Sequence, residues 1–180
     1  MPQLLLLRHA KSSWDGSGTA DIDRPLSARG RRAAAAMAET IATRALIPDR
    51  ILCSPAQRTR ETLAALMPHL PARTAIAIAP ELYEPIAGDY RATIAAHGDG
   101  AGTLMVIGHN PAIPATALIL IGAGDARLSS DIARKYPTGA LATIVFPTGD
   151  WSRLSPHSGR IEAFLKPRDL DGADDGEDGD

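Results

Sequence analysis

The strongest constraint on this chain is an alternation. Short apolar runs of four or five residues take turns with longer, alanine-rich stretches whose apolar positions recur at helical spacing. The runs at 3–7, 50–53, 75–79, 103–107, 142–146 and 161–165 are predicted strands, and the stretches at 28–44, 55–67, 89–96 and 111–121 are predicted helices. Strand, helix and strand in succession make crossovers, and each crossover returns the chain parallel to the strand it left. The predicted fold class is therefore α/β, a three-layer α/β/α arrangement around a mostly parallel central sheet. The last two runs have no predicted helix between them and form an antiparallel edge. "AGDYR" at 87–91 and "IGAGDA" at 121–126 read as turns. No repeat or long linker interrupts the pattern, so residues 1–168 read as one domain.

Two helix starts are legible. In "CSPAQRTRET" Ser54 is the predicted N-cap with Pro55 behind it, and in "GHNPAI" Asn110 and Pro111 take the same places. Each follows directly on an apolar run. Both helices thus begin at the C-terminal edge of the sheet, where open α/β folds bind ligands and where helix N-termini offer unpaired N–H groups to anions.

Composition narrows the classes. Hydrophobic residues at 44% and charged residues at 22% suffice for a core without metals or disulfides. The single cysteine, Cys53, can form no internal disulfide and fits a reducing compartment, where it reads as a small buried hydrophobe. No run approaches the roughly 20 apolar residues of a membrane helix, so the expectation is a cytoplasmic protein without a membrane partner. The formal charge of −2 hides an asymmetry, because seven acids fall in residues 169–180 and leave fourteen against nineteen bases. That terminal segment has no periodicity and is expected to be disordered. The basic remainder suits an anionic substrate but is too weak a signal for nucleic acid.

The chemistry sits at strand ends. The first delivers Arg8 and His9, the second leads through Ser54 to Arg58, and the fourth delivers His109 and Asn110. In a parallel sheet all three project from one edge. Two arginines and two histidines there suit phosphoryl transfer, because guanidinium forks match the charge spread over three equatorial oxygens. An imidazole can attack phosphorus and form a phosphohistidine, provided its other nitrogen is held as a donor, commonly to a backbone carbonyl. No His or Cys spacing reads as a metal site, and no Gly-x-Gly-x-x-Gly follows a strand, so no cofactor is expected. Arg60 reads as a surface charge, and His69, His97 and His157 lie in turn-like contexts without a role.

Five motifs in order, "LLLLRHAKSSW", "DRPLSARGRRAA", "LCSPAQRTRET", "VIGHNP" and "YPTGAL", resemble the histidine phosphatase superfamily, whose fold is phosphoglycerate mutase-like. The likeness is to its short SixA-type phosphohistidine phosphatases, and it runs from about residue 2 to 165. It implies that His9 is the nucleophile, that Arg8 and Arg58 hold the phosphoryl oxygens, and that His109 is the second histidine steadying their charge. It implies a pocket role for Ser12. Ala10 stands where the commoner Arg-His-Gly form has glycine, a replacement frequent in SixA-like chains. Asp15 stands where asparagine is frequent.

Many ester phosphatases of the superfamily protonate the leaving oxygen with a carboxylate after the third strand. "PELYEPIAGD" offers Glu81, Glu84 and Asp89, and the resemblance favours Glu84. SixA-type enzymes often lack that acid. The implied partner is a phosphorylated protein, such as a phosphohistidine-carrying signalling domain, or else a small phosphate ester. An inactive phosphate-binding or interaction protein is the rival of another class, and a mutase is a further one.

Overall fold

The computed structural model describes residues 1–14, 18–85, 87–98, 100–147 and 149–170. Four consecutive leucines explain its centre. In β1 (Gln3–Arg8) Leu4 and Leu6 enter one buried cluster while Leu5 and Leu7 enter another, so both faces of the strand are covered. It pairs in parallel with β4 (Thr103–Gly108), which pairs in parallel with β2 (Arg50–Cys53), which in turn pairs in parallel with β3 (Ala75–Ile78). On its other side β1 meets β6 (Leu141–Val145), antiparallel to both β1 and β7 (Gly159–Leu165). A parallel pairing of β7 with β5 (Ile121–Gly124) completes the order β3-β2-β4-β1-β6-β7-β5.

Helices cover both faces. Against Leu5 and Leu7 lie α1 (Ala28–Thr43) and α2 (Gln57–Leu66), through Met37, Ala38, Ile41, Leu63 and Leu66. On the Leu4 and Leu6 side lie α3 (Arg91–His97), α4 (Ala112–Leu120) and α5 (Ala126–Arg134), through Ile94, Ile113, Ala117, Leu120 and Ile132. The three-layer reading and the antiparallel pairings among the late strands are both present. In α1 the buried positions Gly30, Ala34, Met37, Ala38 and Ile41 trace one helical face, and Ser27 caps the start by accepting from the Gly30 N–H at 3.0 Å.

Three local readings need correction. "IGAGDA" is not a turn: it supplies β5 and the start of α5. A Cβ on Gly122 would collide with the His157 carbonyl, so glycine here marks a close backbone approach within a strand. Asp125 caps α5 by accepting from the Arg127 N–H at 2.8 Å, and this short helix turns only Leu128 and Ile132, one turn apart, toward the core. Ser54 does not cap α2, which begins at Gln57, and Asn110 does not cap α4, which begins at Ala112; both side chains are engaged in the site.

Asp15 and residues 171–180, with the expected acidic tail, lie outside the described residues. Among the described residues no helix is long and apolar enough to cross a membrane.

Candidate active site

The order β2-β4-β1 sets the C-terminal ends of three parallel strands side by side. From β1 emerge Arg8 and His9. The His9 Nδ1–H donates to the Ala10 carbonyl at 2.7 Å, which leaves the Nε2 lone pair as the available one. Burial, with smaller contributions from His109, Arg8 and Arg58, pushes the His9 pKa down to about 3 against the raising effect of the Ala10 hydrogen bond. Near neutral pH the ring is therefore uncharged, with its Nε2 lone pair available. Ala10 is itself fully buried and its N–H donates to Thr62 Oγ1 at 3.1 Å, fixing the turn that aims the ring.

His109 follows β4, with its ring centroid 5.1 Å from that of His9. Its backbone N–H donates to Tyr90 Oη at 2.9 Å, and that hydroxyl donates on to the Leu82 carbonyl at 2.8 Å. A guanidinium N–H of Arg58 faces His109 Nδ1 at 3.3 Å, so the ring proton belongs on Nε2, which lies 2.8 Å from Ser54 Oγ. Burial, then Arg58 and Arg8, push the His109 pKa down to about 4, against the opposing charge of Asp21.

Arg58, in the first turn of α2, is buried and held by the Asp21 carbonyl at 2.6 Å and its Oδ2 at 3.0 Å. The same carboxylate accepts from Arg24 at 2.9 Å and Tyr83 Oη at 2.8 Å. Burial opposes its charge, but the hydrogen bonds from Tyr83, Arg24 and Arg58 hold it well below the usual carboxylate range. Asp21 thus acts as a fixed anion that orients Arg58.

Arg8 and Asn110 both donate to the Tyr136 carbonyl, at 2.7 and 3.2 Å, and Tyr136 Oη donates to the Leu6 carbonyl at 2.6 Å. Ser12 Oγ accepts from Arg24 at 2.8 Å, and the Arg24 guanidinium stacks 3.3 Å from the Trp14 ring centre. Together Arg8, His9, Ser12, Arg58, His109 and Asn110 line one cavity of about 250 Å³, joined by Lys11, Trp14, Arg24, Lys135, Pro137 and Thr138. The six predicted pocket residues are brought together. Glu84 and Glu81 are exposed and do not line the cavity, and Asp89 is buried in an ion pair with Arg91. Among the described residues the lining carries no carboxylate.

Sequence reasoning missed Asp21, Arg24 and Tyr83, and it gave Ser54 the wrong task. Arg24 lies inside the quoted "DRPL" motif, which was the available signal; Asp21 and Tyr83 meet Arg58 only through contacts distant in sequence.

The arrangement can hold a tetrahedral anion among guanidiniums while Nε2 of a neutral imidazole faces it. Residues 4–99 match the family model described as Histidine phosphatase superfamily (branch 1). The uncharacterized protein Rv1276c of Mycobacterium tuberculosis (strain H37Rv) is 36% identical over 164 residues, 90% of this chain and all of that protein. Two solved structures named as SixA-type phosphohistidine phosphatases are each 29% identical. The one from Agrobacterium tumefaciens has a TM-score of 0.76 over 93% of this chain and 99% of that one. The one from Nakamurella multipartitia has a TM-score of 0.78 over 92% and 96%.

Proposed function

For a chain that belongs to the histidine phosphatase superfamily, and so to a family of phosphatases, we propose hydrolysis of phosphohistidine on a protein, through a covalent phosphohistidine on His9. The observation that carries this reading is the cavity lining, cationic and without a carboxylate among the described residues. An alkyl ester needs an acid to protonate its leaving oxygen. A phosphoramidate does not, because its imidazole leaves readily once protonated. The names of the two SixA structures agree with this choice.

In the first step His9 Nε2 attacks phosphorus in line, the bond to the substrate imidazole breaks, and the electron pair leaves with that protonated ring. In the second, water attacks the phosphorus on His9, the P–Nε2 bond breaks with its electron pair returning to the ring, and the water proton passes to the departing inorganic phosphate, which restores neutral His9. Arg8 and Arg58 bind the equatorial oxygens in both steps. The incoming negative charge also raises the His109 pKa, which favours a protonated ring donating from Nδ1. Charge neutralisation rests on guanidinium groups, so the reaction proceeds without a metal.

A small phosphate ester is the second reading, suggested by the family resemblance that favours Glu84 as an acid, although its side chain is exposed and does not line the cavity. Side-by-side turnover of a phosphohistidine protein, a phosphosugar and an aryl phosphate, in EDTA, separates the two. The expected result is at least about hundredfold higher kcat/KM on phosphohistidine, equivalent to ~2.7 kcal/mol of transition-state binding, with Glu84→Gln unchanged. Preference for the phosphosugar, with loss of that activity in Glu84→Gln, would establish the second reading instead.

A further inference from the structure

Beside the catalytic cavity lies a larger one of about 370 Å³, and the two share Lys11, Lys135, Pro137 and Thr138 as a common wall. Its lining holds six cations, Lys11, Arg29, Arg134, Lys135, Lys166 and Arg168, against the single carboxylate of Asp131. That carboxylate is already shared, at 2.7 Å from Lys166 Nζ and 2.9 Å from Arg134, and outside the lining Asp169 pairs with Arg168 at 3.6 Å. Lys166 is buried, whereas the ammonium groups of Lys11 and Lys135 on the common wall have no hydrogen-bonding or ionic partner among the described residues. Like charges gathered from four separate segments repel one another, and an anion in this cavity relieves that repulsion.

We propose that this second cavity is an anion subsite that selects phosphorylated proteins bearing acidic side chains next to the phosphorylated residue. The inference rests on the reading of the catalytic pocket given above. The common wall places a second anionic group within one cavity's width of the phosphoryl group. The rim favours a protein source over a small bisphosphate: Arg134 and Arg168 side chains are 72% and 61% exposed, so the cations extend from the cavity onto open surface. Carboxylates carried by a bulky partner can reach all of them, whereas one further phosphate cannot. Steering of this kind acts on association and weakens with salt.

The test uses pairs of phosphohistidine peptides that are identical except that flanking Asp and Glu become Asn and Gln. The full-length chain is expected to give about tenfold higher kcat/KM on the acidic peptide, falling with salt. In Arg134→Gln/Arg168→Gln, two positions that line only the second cavity, the preference should drop below about threefold with the neutral peptide unchanged. Equal turnover of the two peptides by the unaltered chain, or a preference that survives the double substitution, overturns the proposal. So does a preference that emerges only after Asp171, Asp174, Asp175, Glu177, Asp178 and Asp180 are replaced by Asn or Gln, because the chain's own acidic segment would then be the occupant. A second readout separates this proposal from the catalytic one: inhibition of aryl phosphate turnover by the unphosphorylated acidic peptide. If neither phosphopeptide is hydrolysed, the phosphohistidine reading fails. The subsite then stands if the double substitution weakens that inhibition, and falls if it does not.

Discussion

Ser54 shows how a residue's task is set by what it meets in the fold. Its place before a proline at the end of an apolar run is a cap signature, yet its hydroxyl lies 2.8 Å from His109 Nε2 and accepts the ring proton that Arg58 keeps on that nitrogen. Ser54→Ala leaves a buried ring N–H without its acceptor, which costs about 1–3 kcal/mol of stability. With the ring no longer held, kcat is expected to fall about tenfold, or ~1.4 kcal/mol, with KM changed less. Denaturant unfolding together with steady-state kinetics checks both numbers. The positions of Arg8, His9, Arg58, His109 and Asn110 were legible because each sits within a few residues of a strand end, and strand ends are fixed by apolar runs. Asp21 was not, because its importance lies in meeting Arg58, Arg24 and Tyr83 at once, and no local pattern encodes a meeting across 37 or 62 residues.

At the scale of elements, the site depends on how β4 hands His109 to α4. Gly108 ends that strand directly over Tyr90, where an added Cβ would lie 2.5 Å from Oη and 2.6 Å from Cε2. Gly108→Ala therefore displaces the ring that accepts the His109 N–H. The expected cost is about 2–4 kcal/mol, overpacking plus a lost buried hydrogen bond, with reduced turnover in the fraction that remains folded. Tyr90→Phe, which removes the acceptor without the clash, should lose about 1–3 kcal/mol; both are read by denaturant midpoints. Most elements were legible from periodicity, since strands such as Leu4–Leu7 are apolar on both faces and α1 repeats its apolar positions cleanly. The β5 and α5 pair was not. Its strand is half glycine because Gly122 lies against the 157 backbone and Gly124 against Ile161, and its helix buries Ile132 and leaves most of its surface to solvent.

For the whole molecule, two buried histidines couple stability to pH. Both have folded-state pKa values below the ordinary 6.5, about 3 for His9 and about 4 for His109. The unfolded chain therefore binds protons that the native state refuses as pH falls below 6.5. Their contribution is fully present above that pH and is lost progressively as pH drops toward 4 and then 3. Melting temperature should fall between pH 7 and pH 4.5, and His109→Gln should flatten the slope. An oxyanion in the pocket raises both pKa values, so added phosphate or tungstate should recover part of the loss.

The catalytic claim is tested most directly by rapid quench with a protein carrying labelled phosphohistidine. The account predicts transient label on this chain, acid-labile and alkali-stable, located at Nε2 of His9 by 31P NMR or mass spectrometry and abolished in His9→Ala. Multiple turnovers with no label in the first turnover, or label on any other residue, would contradict it.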